Sequence, residues 1–93
     1  MALPDFELVL LAVKRMVVRE SRLSIAAESV AADELLNGRL LRVTSLGLLS
    51  MLIQLEDDLG VTLPDDLFLG RLVYTVADLA DVVHSAASAS VES

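Results

Sequence analysis

The segment from Leu41 to Pro64, LRVTSLGLLSMLIQLEDDLGVTLP, constrains the fold more than any other part of the chain. It predicts one helix from Ser45 to about Leu59. Thr44 is a natural N-cap, offering a side-chain oxygen to the first orphan amides. Gly60 suits the left-handed position that terminates helices. Within the helix, Leu48, Met51, Leu52, Leu55 and Leu59 recur at helical spacing and form one apolar stripe. Leu46, Leu49 and Ile53 form a second, rotated from the first and continued by Glu56 and Asp57. A bundle this small buries one stripe. The second is either a partner surface or lies under the chain that precedes the helix. If exposed, an apolar stripe rimmed by acids reads as an interaction site.

At 93 residues the chain has length for one small domain and one core. It lacks cysteine, which excludes disulfides and thiolate metal sites, and its single histidine, His84, excludes multi-histidine zinc sites within one chain. His84 reads most simply as a surface or half-buried residue near a helix end. Without tryptophan, and with Tyr74, Phe6 and Phe68 as the only aromatics, the chain lacks a stacking platform for single-stranded nucleic acid. Up to Val43 six acids balance six bases; from Thr44 onward eight acids face one base, Arg71, so the net charge of -7 resides in the second half. That field repels phosphate backbones and favours basic partner surfaces, besides aiding solubility. The start MALPDFE has no basic stretch before an apolar run and does not read as a secretory signal. Charges interrupt every apolar run before the roughly 20 residues needed to span a bilayer. A cytoplasmic protein with no membrane span and no nucleic-acid partner is expected.

Along the chain, Pro4-Asp5 marks the start of a first helix in which Phe6, Val9, Leu10, Val13 and Val17 recur at helical spacing, ending near Glu20 or Ser21. Residues 21–43 are less regular, with a short helical turn expected around Ala31 to Leu36. Leu23, Ile25, Val30, Leu35, Leu36, Leu40 and Leu41 are expected as anchors that require this connection to lie against the core. After the second helix, Pro64-Asp65-Asp66 opens a turn or short helix, with Leu67, Phe68 and Leu69 as anchors. Thr75, with Asp78 three residues on, caps a last helix whose buried side is Val76, Leu79, Ala80 and Val83. Residues 85–93 are small, polar and alanine-rich and are expected to fray as a flexible tail, leaving 1–84 as the domain. The expected class is all-α: a small four-helix bundle of three main helices and a short one.

No nucleophile, base and acid assemble convincingly, because Ser45 has only His84 or Lys14 available as a basic partner. The acids at 56–58 and 65–66 lack the oxygen-rich twelve-residue loop of a calcium site, and no glycine-rich phosphate loop is present. Ser45 stands at the first position of a helix, where free amides and the helix dipole favour an attached or bound phosphate. The simpler reading makes Thr44 and Ser45 alternative helix caps.

The ordered pattern resembles the acyl carrier proteins and peptidyl carrier domains. Their attachment motif, commonly Leu-Gly-x-Asp-Ser-Leu, aligns with Leu41, Arg42, Val43, Thr44, Ser45 and Leu46. The apolar-acidic end of their second helix and the following Ile-Pro align with Leu55-Glu56-Asp57-Asp58-Leu59-Gly60 and Leu63-Pro64. A Thr-Val-x-x-Leu opening the last helix aligns with Thr75-Val76-Ala77-Asp78-Leu79. The resemblance implies an acyl-carrier bundle in which Ser45 carries covalent 4'-phosphopantetheine, flanked by Thr44 and Arg42. It implies a non-catalytic monomer modified by a phosphopantetheinyl transferase, loaded by an acyl or aminoacyl ligase, and visited by synthases, transferases and thioesterases in trans. Leu46, Leu49, Ile53, Glu56 and Asp57 align with partner-facing positions.

Two departures adjoin the serine: Thr44 stands for the motif's aspartate and Arg42 for its glycine. Gly47 and Ser50 occupy positions where many fatty-acid carriers have acids, so docking relies more on apolar contact. The segment from Pro64 to Thr75 is slightly longer than in compact fatty-acid carriers, placing Phe68, Leu69 and Arg71 near the substrate or partner surface. These features favour a discrete carrier of specialised polyketide or nonribosomal peptide (antibiotic-type) biosynthesis over a fatty-acid synthesis carrier. The alternatives from other classes are an unmodified module that docks a partner enzyme through the same helix, and a small enzyme using Ser45.

Overall fold

The computed structural model of the protein describes residues 5–63, 67 and 73–92, with side chains at all of these except 45 and 88–92. Three α-helices and no strand occur among the described residues: α1 (Phe6–Glu20), α2 (Ser45–Leu59) and α3 (Val76–Glu92). A 3-10 turn, Ala27–Ser29, follows α1. The helical class agrees with the sequence. A fourth helix is not found among the described residues, and the expected turn opening at Pro64, with Phe68, Leu69 and Arg71, lies outside them.

α1 is the central element and packs against both α2 and α3. Val9, Ala12, Val13, Met16 and Val17 recur three and four residues apart and are all buried, so one face of α1 is core. Asp5 holds the N-cap position with extended backbone and no side-chain bond to the helix. At the other end Arg22 adopts φ 57°, and the amides of Arg22 and Leu23 donate to the carbonyls of Arg19 and Val18 at 3.1 Å. This left-handed termination usually falls to glycine; here an arginine takes it and carries the backbone strain.

Residues 21–43 lie against the core as expected, with Val30, Leu36, Leu41 and Val43 buried, but Ile25 and Leu35, expected as anchors, are exposed. Of the helical turn anticipated at Ala31 to Leu36, a single turn forms, the Glu34 amide donating to the Ala31 carbonyl at 3.1 Å, and it does not continue as helix. Leu35 instead makes an antiparallel bridge with Thr75, and Asn37 makes one with Arg42. Leu36 donates its amide to the Tyr74 carbonyl at 2.8 Å and accepts from the Val43 amide at 2.9 Å. The physical reason lies at the start of α3, whose first amides have no partner within the helix. Val76 and Ala77 donate to the carbonyls of Glu34 and Ala32 at 3.0 and 2.7 Å. The connection thus divides its backbone bonds between short turns of its own, such as the Gly38 amide to the Leu41 carbonyl at 3.0 Å, and the start of α3.

α3 opens with the reciprocal bonds the sequence predicts: the Asp78 amide donates to Thr75 Oγ1 at 3.1 Å, and the Thr75 amide donates to Asp78 Oδ2 at 3.0 Å. The Tyr74 amide donates to the same carboxylate oxygen at 3.1 Å. These backbone donors, Thr75 first and then Tyr74, hold the Asp78 carboxyl below its ordinary value. Val76, Leu79, Ala80 and Val83 are fully buried. The tail expected to fray from residue 85 is instead helical to Glu92, and Ala87 is fully buried. Alanine's high helix propensity and small size let the helix continue and pack there.

Candidate functional site

The site is built around the first turn of α2. Ser45 is the first residue of that helix and Thr44 its N-cap, with extended backbone (φ -94°, ψ 172°). Thr44 Oγ1 accepts the Gly47 amide at 3.1 Å, and the Thr44 carbonyl accepts the Leu48 amide at 2.9 Å. Thr44 is therefore occupied as a structural cap. The first amides of a helix lack intrahelical partners, and their dipole favours an anion. Gly60 closes α2 at φ 67°, as its position in the sequence predicts.

Leu55 and Met51 are fully buried and Leu52 nearly so, with Leu48 and Leu59 half-buried against the core. The second stripe faces outward: Leu46 is 78%, Leu49 51% and Ile53 68% exposed. Of the two dispositions the sequence left open, the structure thus has the stripe exposed, and residues 21–43 do not cover it. Asp57, one turn after Ile53, is exposed on the same face. Glu56 is half-buried, and its Oε2 accepts the Leu63 amide at 3.1 Å, so this side chain organises the loop after α2.

Arg42 is exposed, and its backbone amide donates to Ser21 Oγ at 2.8 Å. That bond ties the approach to Ser45 to the end of α1, beside the exposed Arg22. Arg19 reaches α2 directly, donating from Nη1 to Gln54 Oε1 at 3.0 Å. Gly47 allows α1 a close approach to the first turn of α2: a Cβ there would lie 3.0 Å from both Cγ and Oε1 of Glu20. α2 has no acid of its own in its first turn. Glu20 brings a carboxylate to that end from α1, where the helix dipole favours it.

Beside the start of α2 lies a depression of about 360 Å³, bounded by the N-cap Thr44, Leu48 of α2, Leu35, Leu36 and Val43 of the connection, and Tyr74. Leu35 and Tyr74 are 52% and 60% exposed. The sequence does not signal this depression or the Glu20 approach, because both join residues distant along the chain and follow from the pairing of residues 34–36 with 74–76 and of α1 with α2. His84, considered as a base for Ser45, packs edge-on to Phe6 with ring centroids 5.6 Å apart, between α3 and α1. Among the described residues no cluster of three metal-binding side chains occurs, and no helix is long and apolar enough to cross a membrane.

Comparison with models of known families, with curated proteins and with solved structures finds no match to this chain.

Proposed function

We propose that this protein is a discrete carrier of acyl or aminoacyl groups, with Ser45 as the attachment point of 4'-phosphopantetheine. The observation that carries the reading is the outward-facing stripe of Leu46, Leu49 and Ile53, which begins next to a serine at the first position of α2. A buried helix has no structural use for three large exposed apolar residues on one face, whereas a docking helix does.

The residues around Ser45 fit a phosphodiester. Thr44 satisfies the Gly47 amide and leaves the first amides of α2 for an anion. Arg42, exposed three residues before Ser45, adds a cation at the same end, and the Glu20 carboxylate that approaches this turn does so at the buried Gly47, on the side toward α1. When bound, the prosthetic group supplies a thiol that holds the carried group as a thioester. The chain's own part is to fix the tether at a rigid helix start, shelter what it holds, and present the stripe to visiting enzymes. The depression beside Thr44 and Leu48, largely apolar, offers an aliphatic or aromatic portion partial shelter. No catalytic step falls to the chain itself. The partners are a phosphopantetheinyl transferase, a loading ligase, and synthases, transferases or thioesterases acting in trans, in the cytoplasm. Thr44 and Arg42 in place of the usual aspartate and glycine favour a specialised polyketide or peptide pathway over fatty-acid synthesis.

The test is the intact mass of the protein after incubation with a broad-range phosphopantetheinyl transferase and coenzyme A. The mass rises by one phosphopantetheinyl group, and Ser45→Ala abolishes the gain. An unchanged mass, or a gain that survives Ser45→Ala, refutes the assignment.

A further inference from the structure

The charges along the outward face of α2 run against the helix dipole. Arg42 lies just before the positive N-terminal end, and Asp57 and Asp58 lie in the last turn at the negative end; α2 has no acid in its first turn and no base in its last. Helix stability favours the reverse arrangement, so it does not account for this one. The positive end is also reinforced from elsewhere in the fold. Ser21 Oγ accepts the Arg42 amide at 2.8 Å and so brings the α1 terminus, with exposed Arg22, to the approach of α2; the Glu20 carboxylate also reaches this end, but at the buried Gly47, on the side of α2 that faces α1 and away from the exposed stripe. Six of the seven lysines and arginines of a chain with net charge -7 precede Thr44. General attraction alone would select a uniformly basic partner. The local arrangement is different: cations at one end, the stripe of Leu46, Leu49 and Ile53 in the middle, carboxylates at the other.

We infer that α2 docks a protein surface of matching polarity, with carboxylates toward Arg42, an apolar centre over Leu49 and Ile53, and lysine or arginine toward Asp57. The polarity sets the direction in which the partner lies along α2, and hence which part of it meets Ser45. Like charges juxtaposed in the wrong direction reject a reversed partner. The inference rests on the docking part of the carrier reading and is independent of any group on Ser45.

The experiment uses the full chain with Ser45→Ala, so no phosphate contributes. The probes are three synthetic helical peptides sharing one leucine face: one with glutamates at one end and lysines at the other, one all-glutamate and one all-lysine. Binding is followed by fluorescence anisotropy and mapped by amide chemical shifts. The mixed peptide binds tightest, with shifts centred on Leu46, Leu49 and Ile53. Arg42→Glu or Asp57→Lys alone weakens it roughly two- to fivefold, the scale of an exposed ion pair. The double swap Arg42→Glu with Asp57→Lys restores binding, because the peptide then docks in the opposite direction. Tighter binding of the all-lysine peptide, shifts elsewhere, no effect of Arg42→Glu, failure of the double swap to restore binding, or no binding by any peptide overturns the inference. Loss of the mass gain with an intact peptide result would count against the tether and leave the docking polarity standing.

Discussion

Leu55 and Ile53 are two residues apart on α2, yet Leu55 is fully buried and Ile53 is 68% exposed. Truncating each separates the stripe that holds the fold from the stripe assigned to partners. Leu55→Ala removes a side chain with no access to solvent and leaves a cavity in a close-packed core; such changes cost about 2.7–5 kcal/mol. In a domain of this size each kcal/mol lowers Tm by roughly 4–8 °C. A loss of about 3 kcal/mol therefore lowers Tm by about 12–24 °C. Ile53→Ser substitutes residues of similar helix propensity and forfeits little burial, so the expected change is within about 0.5 kcal/mol. Thermal unfolding followed by far-ultraviolet circular dichroism measures both, and binding of the mixed-charge peptide provides the second axis. Leu55→Ala destabilises strongly and retains docking below its new Tm, whereas Ile53→Ser retains stability and loses docking. Equal Tm shifts for the two variants, or a Leu55→Ala cost under about 1 kcal/mol, would refute the division of α2 into two faces.

Other outcomes follow from the helix ends. Thr75→Ala removes the oxygen that accepts the Asp78 amide and lowers stability by about 1 kcal/mol in urea unfolding. Because backbone amides hold the folded Asp78 carboxyl below 3.8, its stabilising contribution is complete above that pH and is lost as pH falls through the lower folded value; Asp78→Asn flattens this part of the acid limb of a Tm–pH profile. Gly60→Ala places a Cβ at φ 67° in open space, so its cost of about 1 kcal/mol is purely one of backbone conformation. Arg22→Gly, at φ 57°, acts in the opposite sense: relief of left-handed crowding exceeds glycine's entropy cost and raises stability by about 0.5–1 kcal/mol.

The parts of the fold that were legible in the sequence rest on local interactions. Thr44 and Gly60 bound α2 because a cap oxygen and a positive φ each act within a few residues of their own position. Thr75 and Asp78 open α3 for the same reason. The two stripes of α2 were equally readable, since 3.6-residue periodicity needs no knowledge of neighbours. For residues 31–36 the local turn at Ala31–Glu34 does not extend into helix, because the carbonyls of Ala32 and Glu34 are taken by the unpaired amides at the start of α3, which lie far along the chain. The end of the packed unit was expected at residue 84 from composition, but Ala87 is buried where a methyl group is all that the packing requires.

By itself, then, the sequence determined where α1 and α2 start and stop and where α3 starts, the periodicity of their core faces, and that α2 has one apolar face more than a core needs. Only the tertiary structure decided that Leu46, Leu49 and Ile53 are left exposed, that Glu20 comes to the first turn of α2 at Gly47, and that Ser21 ties α1 to the approach of Ser45. Propensity, capping and periodicity act over one or two turns and are written in adjacent residues. Exposure and the convergence of charges depend on which distant segments meet, and that is settled when α1 packs against α2 and α3 and the 32–36 segment pairs with the start of α3.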